Sequence, residues 1–261
     1  MTAELKISQQ GQTLVLTLSN PEFRNALGPE IYAAGMQALT TASRPESGVR
    51  SVLITGEGGI FCAGGNLNRI KNNREKPRET QAQSIELMHG WIEAIRACPR
   101  PVIAAVEGPA AGAGFSLALS CDLIVAASNA VFVMAYSSVA LSADGGGSWS
   151  LMRALPRQLA TELLMLGEKI SPQRLHELGV VNRLVEPGQA LAEALKLAGK
   201  LNGRAPNAIA SAKTLAADLG PESMSEHLAQ ERDHFVNNLH HANGAEGIAA
   251  FLEKRPASYE S

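Results

Sequence analysis

Two short stretches carry the residue types that a backbone-built catalytic site needs. The first is Ile60-Phe61-Cys62-Ala63-Gly64-Gly65-Asn66-Leu67, which follows a β-branched run ending at Thr55. The second is Glu107-Gly108-Pro109-Ala110-Ala111-Gly112-Ala113-Gly114-Phe115, which follows Val102–Val106 and runs on into a helical pattern. Small residues let a backbone approach a ligand, and glycine tolerates the positive φ that turns an N–H outward. A strand-to-helix turn also directs free N–H groups and the positive end of a helix dipole toward one point. Two such loops meeting would offer two donors to one developing oxyanion, and losing a single donor of that kind costs about 3–4 kcal/mol of transition-state stabilisation. Ordinary tight turns are the plain alternative for either loop taken alone.

One carboxylate accompanies them, Asp144 in Leu141-Ser142-Ala143-Asp144-Gly145-Gly146-Gly147, with no cation beside it in sequence. Desolvated there, it would bind its proton more tightly and could move one near neutral pH. Its plain alternative is to cap the helix that opens near Gly147. His89 lies in a helical pattern over Ser84–Arg96, next to a stripe of Ile85, Met88, Ile92 and Ile95, where it either lines a pocket or packs at the core boundary. His227, His234 and His241 recur every seven residues and read as one helix face rather than a metal site. Cys62 has no basic neighbour and reads as a small buried hydrophobe.

Two rival uses of the glycines fail. Gly112-x-Gly114 opens a helix after a strand, but Leu117 occupies the third glycine position. No acidic residue lies between Leu123 and Ala143 to hold a ribose about 20 residues on. No Gly-Lys-Ser/Thr occurs, which removes a P-loop.

The elements that must position these residues alternate. Strand candidates are Leu14–Leu18, Val49–Thr55, Val102–Val106, Leu123–Ala126, Val131–Met134 and Val180–Val185. Helical spacing appears over Pro29–Leu39 and after Ser171-Pro172, and it alone continues through Ala190–Leu201, Asn207–Leu219, Met224–His240 and Gly244–Lys254. The spacing predicts an α/β core over residues 1–190 and a helical region over 191–261. The charged run Arg69–Glu79 reads as a solvated segment. A length of 261 residues with 45% hydrophobic and 18% charged residues is ordinary for a globular chain. A net charge of -2 gives no general attraction for nucleic acid. Three cysteines, none in a Cys-x-x-Cys pair, argue against a disulfide framework and structural zinc. The sequence shows neither a signal-peptide pattern nor an apolar run of about 20 residues, so no membrane association and a cytoplasmic location are expected.

The order of motifs resembles the enoyl-CoA hydratase/isomerase (crotonase) family along essentially the whole chain. The resemblance rests on Asn20-Pro21-x-x-Arg24-Asn25-Ala26-Leu27, Ser51-Val52-Leu53-Ile54-Thr55-Gly56 and Phe61–Leu67. It continues through Arg100–Val106 with Gly108, Ala111–Gly114, Cys121-Asp122-Leu123, and Glu246-Gly247 with Ala250–Arg255. It implies a crotonase-like spiral of repeated β-β-α units, a C-terminal helical trimerisation region, and an acyl-CoA thioester substrate, with coenzyme A part of that substrate and no separate cofactor. A homotrimer or homohexamer is the implied assembly. The oxyanion donors implied are the N–H groups of Gly65 and Ala113. Arg24, Ala26, Ala63, Gly64, Asn66 and Leu67 would lie along CoA, and Phe251 and Lys254 would reach it from a neighbouring subunit. Asn66 stands where the family usually has Asp.

The resemblance also bears on which reaction is run. The two glutamates that hydratases of the family use fall at Ser116 and Tyr136, and neither is a carboxylate. Asp144 matches the single aspartate of the family's isomerases, including the ring-opening 1,2-epoxyphenylacetyl-CoA isomerase. It also matches the nucleophilic aspartate of a dehalogenase, whose cage tryptophan is replaced here by Tyr136. The expectation is therefore double-bond isomerisation or ring rearrangement of an unsaturated acyl-CoA with Asp144 as acid/base. Hydration and non-catalytic acyl-CoA binding are the alternatives.

Overall fold

The computed structural model describes residues 3–217 and 224–260. Its strands are β1 (Glu4–Gln10), β2 (Thr13–Ser19), β3 (Ser51–Gly56), β4 (Val102–Val106), β5 (Pro109–Ala111), β6 (Leu123–Ala127), β7 (Val131–Val133), β8 (Lys169–Ile170) and β9 (Arg183–Val185). Its helices are α1 (Pro29–Ala42), α2 (Leu67–Asn73), α3 (Arg78–Ala97), α4 (Ala113–Ser120), α5 (Gly147–Ala154), α6 (Arg157–Leu166), α7 (Pro172–Glu177), α8 (Ala190–Asn202), α9 (Pro206–Ala217), α10 (Met224–His240) and α11 (Ala242–Glu253).

Two sheets form. The larger runs β1-β2-β3-β4-β6-β9, antiparallel between β1 and β2 and parallel thereafter. Its central strands are buried on both faces, so they read as unbroken apolar runs such as Val102–Val106. The smaller sheet, β5-β7-β8, pairs Pro109–Ala111 with Val131–Val133 in parallel register. An isolated parallel bridge between Cys62 and Ala110 extends it by one position. The chain therefore repeats one move. β3, the Cys62 bridge and α2 make one turn, β4, β5 and α4 the next, and β6, β7 and α5 a third. Each turn adds a strand to the large sheet, a pairing to the small one, and then a helix. This is the mixed α/β spiral expected of the sequence.

Between the sheets, Phe115 of α4 meets Phe132 of β7 at 5.0 Å between ring centroids and a 55° tilt. That arrangement contributes about 0.5–1.5 kcal/mol beyond burial alone. On the other face of the large sheet, α8 lays Ala190, Ala194 and Ala198 across Val15, Leu53, Ile103, Ala105 and Val125 in a separate apolar cluster. Alanine every four residues lets the helix axis approach closely, so the helical region begins on the sheet itself.

The structure adds elements to the sequence reading. β1 contains only two large apolar residues, Leu5 and Ile7, and Ile7 is exposed. β5 and β8 are too short to show alternation, and α6 was without a strong cap signal. The charged run at Arg69–Glu79 is mostly exposed, as a solvated run should be, but it is not a single loop. It holds most of α2, a turn, and the first two residues of α3, which starts at Arg78 rather than near Ser84. The Leu219 end proposed for the helix after Asn207 lies outside the described residues. No helix among the described residues is long and apolar enough to cross a membrane.

Candidate active site

The first loop is shaped by Asn25, which takes a left-handed conformation (φ 59°). Its side chain donates to the carbonyls of Glu57 (2.9 Å) and Ile60 (2.7 Å) and accepts the Asn20 N–H (3.0 Å). This folds Arg24–Leu27 against the segment that follows β3. Ala63 N–H then donates to the Arg24 carbonyl at 3.0 Å, and Leu27 N–H to the Gly64 carbonyl at 2.8 Å.

The second loop is sewn to the first through Cys62. Its N–H donates to the Pro109 carbonyl (3.0 Å), and its carbonyl accepts from Ala111 N–H (2.9 Å). The contact is so close that a Cβ on Gly64, whose φ is 97°, would lie 2.8 Å from the Ala111 carbonyl oxygen. Only glycine meets both demands. The Gly64 N–H is directed at the Cys62 sulfur, 3.3 Å away. Burial pushes the Cys62 thiol up to about 12, partly offset by that N–H, so it stays protonated.

Ala113 is the first residue of α4, so its N–H has no acceptor inside the helix. Among the described residues, neither the Gly65 nor the Ala113 N–H has a hydrogen-bond partner. Both residues line one cavity of about 360 Å³. Asp144 lines the same cavity, on the segment between β7 and α5. Its carboxylate does not cap α5. The cap position is Gly146, and no side chain bonds there. Instead Asp144 Oδ1 accepts the Tyr136 hydroxyl at 2.6 Å. Burial first, and the Asp144 charge second, push the Tyr136 phenol up, so it acts as a neutral donor. Ser116, fully buried, donates from Oγ to the Asp144 main-chain oxygen at 3.0 Å.

The other sequence candidates divide by location. Ala63, Gly64, Leu67, His89 and Tyr136 also line the cavity. Asn66 caps α2, its Oδ1 accepting Arg69 N–H at 3.1 Å. Ala26 is buried, with its carbonyl held by Asn20 Nδ2. The Arg24 side chain is exposed on its left-handed turn and does not line the cavity. Phe251 and Lys254 stand at the end of α11, outside the cavity, with Phe251 83% exposed. Of the three spaced histidines, His234 pairs with Ser211 and His241 caps α11, while the His227 side chain lies outside the described residues.

The cavity also contains side chains that the sequence reading did not single out. Gln81 and Ile85 precede His89 on α3 at four-residue intervals, a spacing that places all three on one helix face. Ile70, Val139 and Leu141 complete an apolar wall. Chemically, the arrangement is two unpaired main-chain donors and one carboxylate facing a mostly apolar space.

The enoyl-CoA hydratase/isomerase family model matches residues 8–261. The chain is 33% identical over 247 residues to 1,2-epoxyphenylacetyl-CoA isomerase of Escherichia coli K12, covering 94% of each chain. It is also 33% identical to 2,3-dehydroadipyl-CoA hydratase of the same organism, covering 99% of each. Among solved structures, an enoyl-CoA hydratase from Polaromonas sp. JS666 superposes with a TM-score of 0.96 at 66% identity, over 98% of this chain and 99% of the other. On the strength of these matches and the fold, the chain belongs to the enoyl-CoA hydratase/isomerase family and is an enzyme of it.

Proposed function

We propose that the protein isomerises an unsaturated acyl-CoA thioester, or rearranges its ring, through a thioester enolate. The Gly65 and Ala113 N–H groups bind the thioester oxygen, where negative charge grows in the transition state. The Asp144 carboxylate removes a proton from the α carbon, and the electron pair moves onto the thioester oxygen. The protonated acid then returns the proton at the γ carbon, which moves the double bond with no net gain or loss of atoms. The observation that carries this reading is the presence of Asp144 in the same cavity as the two unpaired donors. Similarity to the E. coli protein named as an isomerase supports it.

Asp144→Asn tests the role directly. Turnover of a 3-enoyl-CoA should fall by about 10²–10⁴-fold, the usual contribution of a general acid/base, while affinity for the CoA ester persists. A purified variant as fast as wild type would remove Asp144 from the mechanism. Water addition is the second reading, favoured by the likeness to the Polaromonas structure described as an enoyl-CoA hydratase. Conjugated-thioester absorbance separates the two: it rises from a 3-enoyl-CoA under isomerisation and falls from crotonyl-CoA under hydration. The assembly we infer is a homotrimer, or two trimers paired, in which Phe251 and Lys254 of one chain approach the CoA held by the next. The exposure of Phe251 supports this.

A further inference from the structure

Asp144 is held at both ends. Its side chain accepts the Tyr136 hydroxyl at 2.6 Å, and its main-chain oxygen accepts Ser116 Oγ at 3.0 Å. The two hydroxyls are 3.4 Å apart. The Tyr136 ring also lies over the second loop, where a Cβ on Gly112 would come 3.6 Å from its Cζ atom. Gly112 is the residue before Ala113, so one side chain lies beside the donor loop and is bonded to the carboxylate.

We propose that Tyr136 is a positioning residue that aims the Asp144 carboxylate and fixes its place relative to the Ala113 N–H. This rests on Asp144 being the acid/base. Burial keeps the phenol neutral, so its hydroxyl donates to the carboxylate oxygen and fixes where that oxygen points. Other groups that could bias Asp144 are placed differently. Tyr32 of α1 is buried nearby and feels the Asp144 charge, Arg69 of α2 interacts with Tyr32, and His89 of α3 lines the cavity. None of the three has a hydrogen bond to the Asp144 carboxylate. Among the described residues, Tyr136 alone is bonded to it.

The chain has four aspartates, so carbon-13 labelling at the aspartate carboxyl gives a spectrum in which Asp144→Asn assigns one signal. In Tyr136→Phe that signal should change position at a fixed pH of about 7, because the carboxylate loses its charge-assisted hydrogen-bond donor. The rate of α-proton exchange from butyryl-CoA in deuterated water should fall with it by about tenfold or more, as a misaimed base does, while butyryl-CoA binding stays within about threefold, a change worth under 1 kcal/mol. An unmoved signal, or a loss of exchange that merely tracks a loss of binding, would overturn the role of Tyr136 and leave that of Asp144 standing. Exchange in Asp144→Asn at the wild-type rate would instead overturn the acid/base reading and this inference with it. Should Tyr136→Phe not fold, replacing the three tyrosines with 3-fluorotyrosine gives a stronger donor and should shift the same signal in the opposite direction. No shift there would equally overturn the proposal.

Discussion

Gly114 leaves no room for a larger residue where the two loops meet. A Cβ at this position would stand 2.4 Å from the Cys62 carbonyl oxygen and 2.7 Å from its Cβ. The carbonyl cannot retreat without breaking the Ala111 N–H bond that joins the loops. Gly114→Ala should therefore destabilise by about 1–3 kcal/mol, the usual cost of overpacking, and displace the neighbouring Ala113 N–H. Urea denaturation measures the first effect. A fall in turnover larger than any change in CoA-ester affinity measures the second. The two loops and Asp144 stand out in the sequence because glycine clusters and a lone acid among small residues are conspicuous by type. The bond between Tyr136 and Asp144 does not, since the seven residues between them follow an irregular path and give no periodicity from which to infer contact. Gln81 is hidden for another reason: its helix is read from an apolar stripe that begins at Ile85, whereas the helix itself starts at Arg78, so Gln81 falls ahead of the part the sequence shows.

Among the elements, α9 is tied to the core by an ion pair rather than by a broad apolar seam. Lys213 Nζ lies 2.8 Å from Asp122 Oδ2 and also donates to the Ile95 carbonyl at 2.9 Å. Asp122 in turn accepts the Val102 N–H at 2.7 Å, at the start of β4. Burial nevertheless outweighs the ammonium and raises the Asp122 carboxyl above its ordinary value. An acid so raised binds its proton more tightly in the native state, so its contribution to stability declines as pH climbs from the ordinary carboxylate range through the raised value. Lys213→Met removes the compensating charge. It should cost about 1–3 kcal/mol at neutral pH, since the ammonium is buried while the Asp122 side chain stays partly in solvent, and steepen that decline. Denaturant midpoints taken from pH 4 to 8 would show both; a loss independent of pH would contradict the account. This pairing is not legible from sequence, because Asp122 and Lys213 sit 91 positions apart. The helix itself is legible, as are the central strands, whose β-branched runs are bounded by Gly, Pro and Asn. The strands missed are β5 and β8, of three and two residues, and β1, whose edge position demands little apolar content.

For the whole molecule, the helical region turns Phe235, Val236, Leu239, Ile248, Phe251 and Leu252 to solvent in the single chain. Large apolar groups gathered on one region mark an interaction surface. If the proposed trimer forms through it, Phe235→Glu combined with Leu239→Glu should convert it to a monomer by light scattering. If Phe251 and Lys254 complete a neighbour's CoA site, affinity for CoA esters should fall in the same variant although its own cavity is intact. An unchanged mass would place the contact elsewhere. The cavity has a further property that follows from Cys62. Conjugated enoyl thioesters are Michael acceptors, and a thiolate beside one would add to its β carbon. Burial pushes the Cys62 thiol up and encloses its sulfur, so Cys62 stays a protonated thiol and presents little nucleophile. The sulfur that steadies the loop is thereby kept from alkylation by the very class of molecule the cavity would admit.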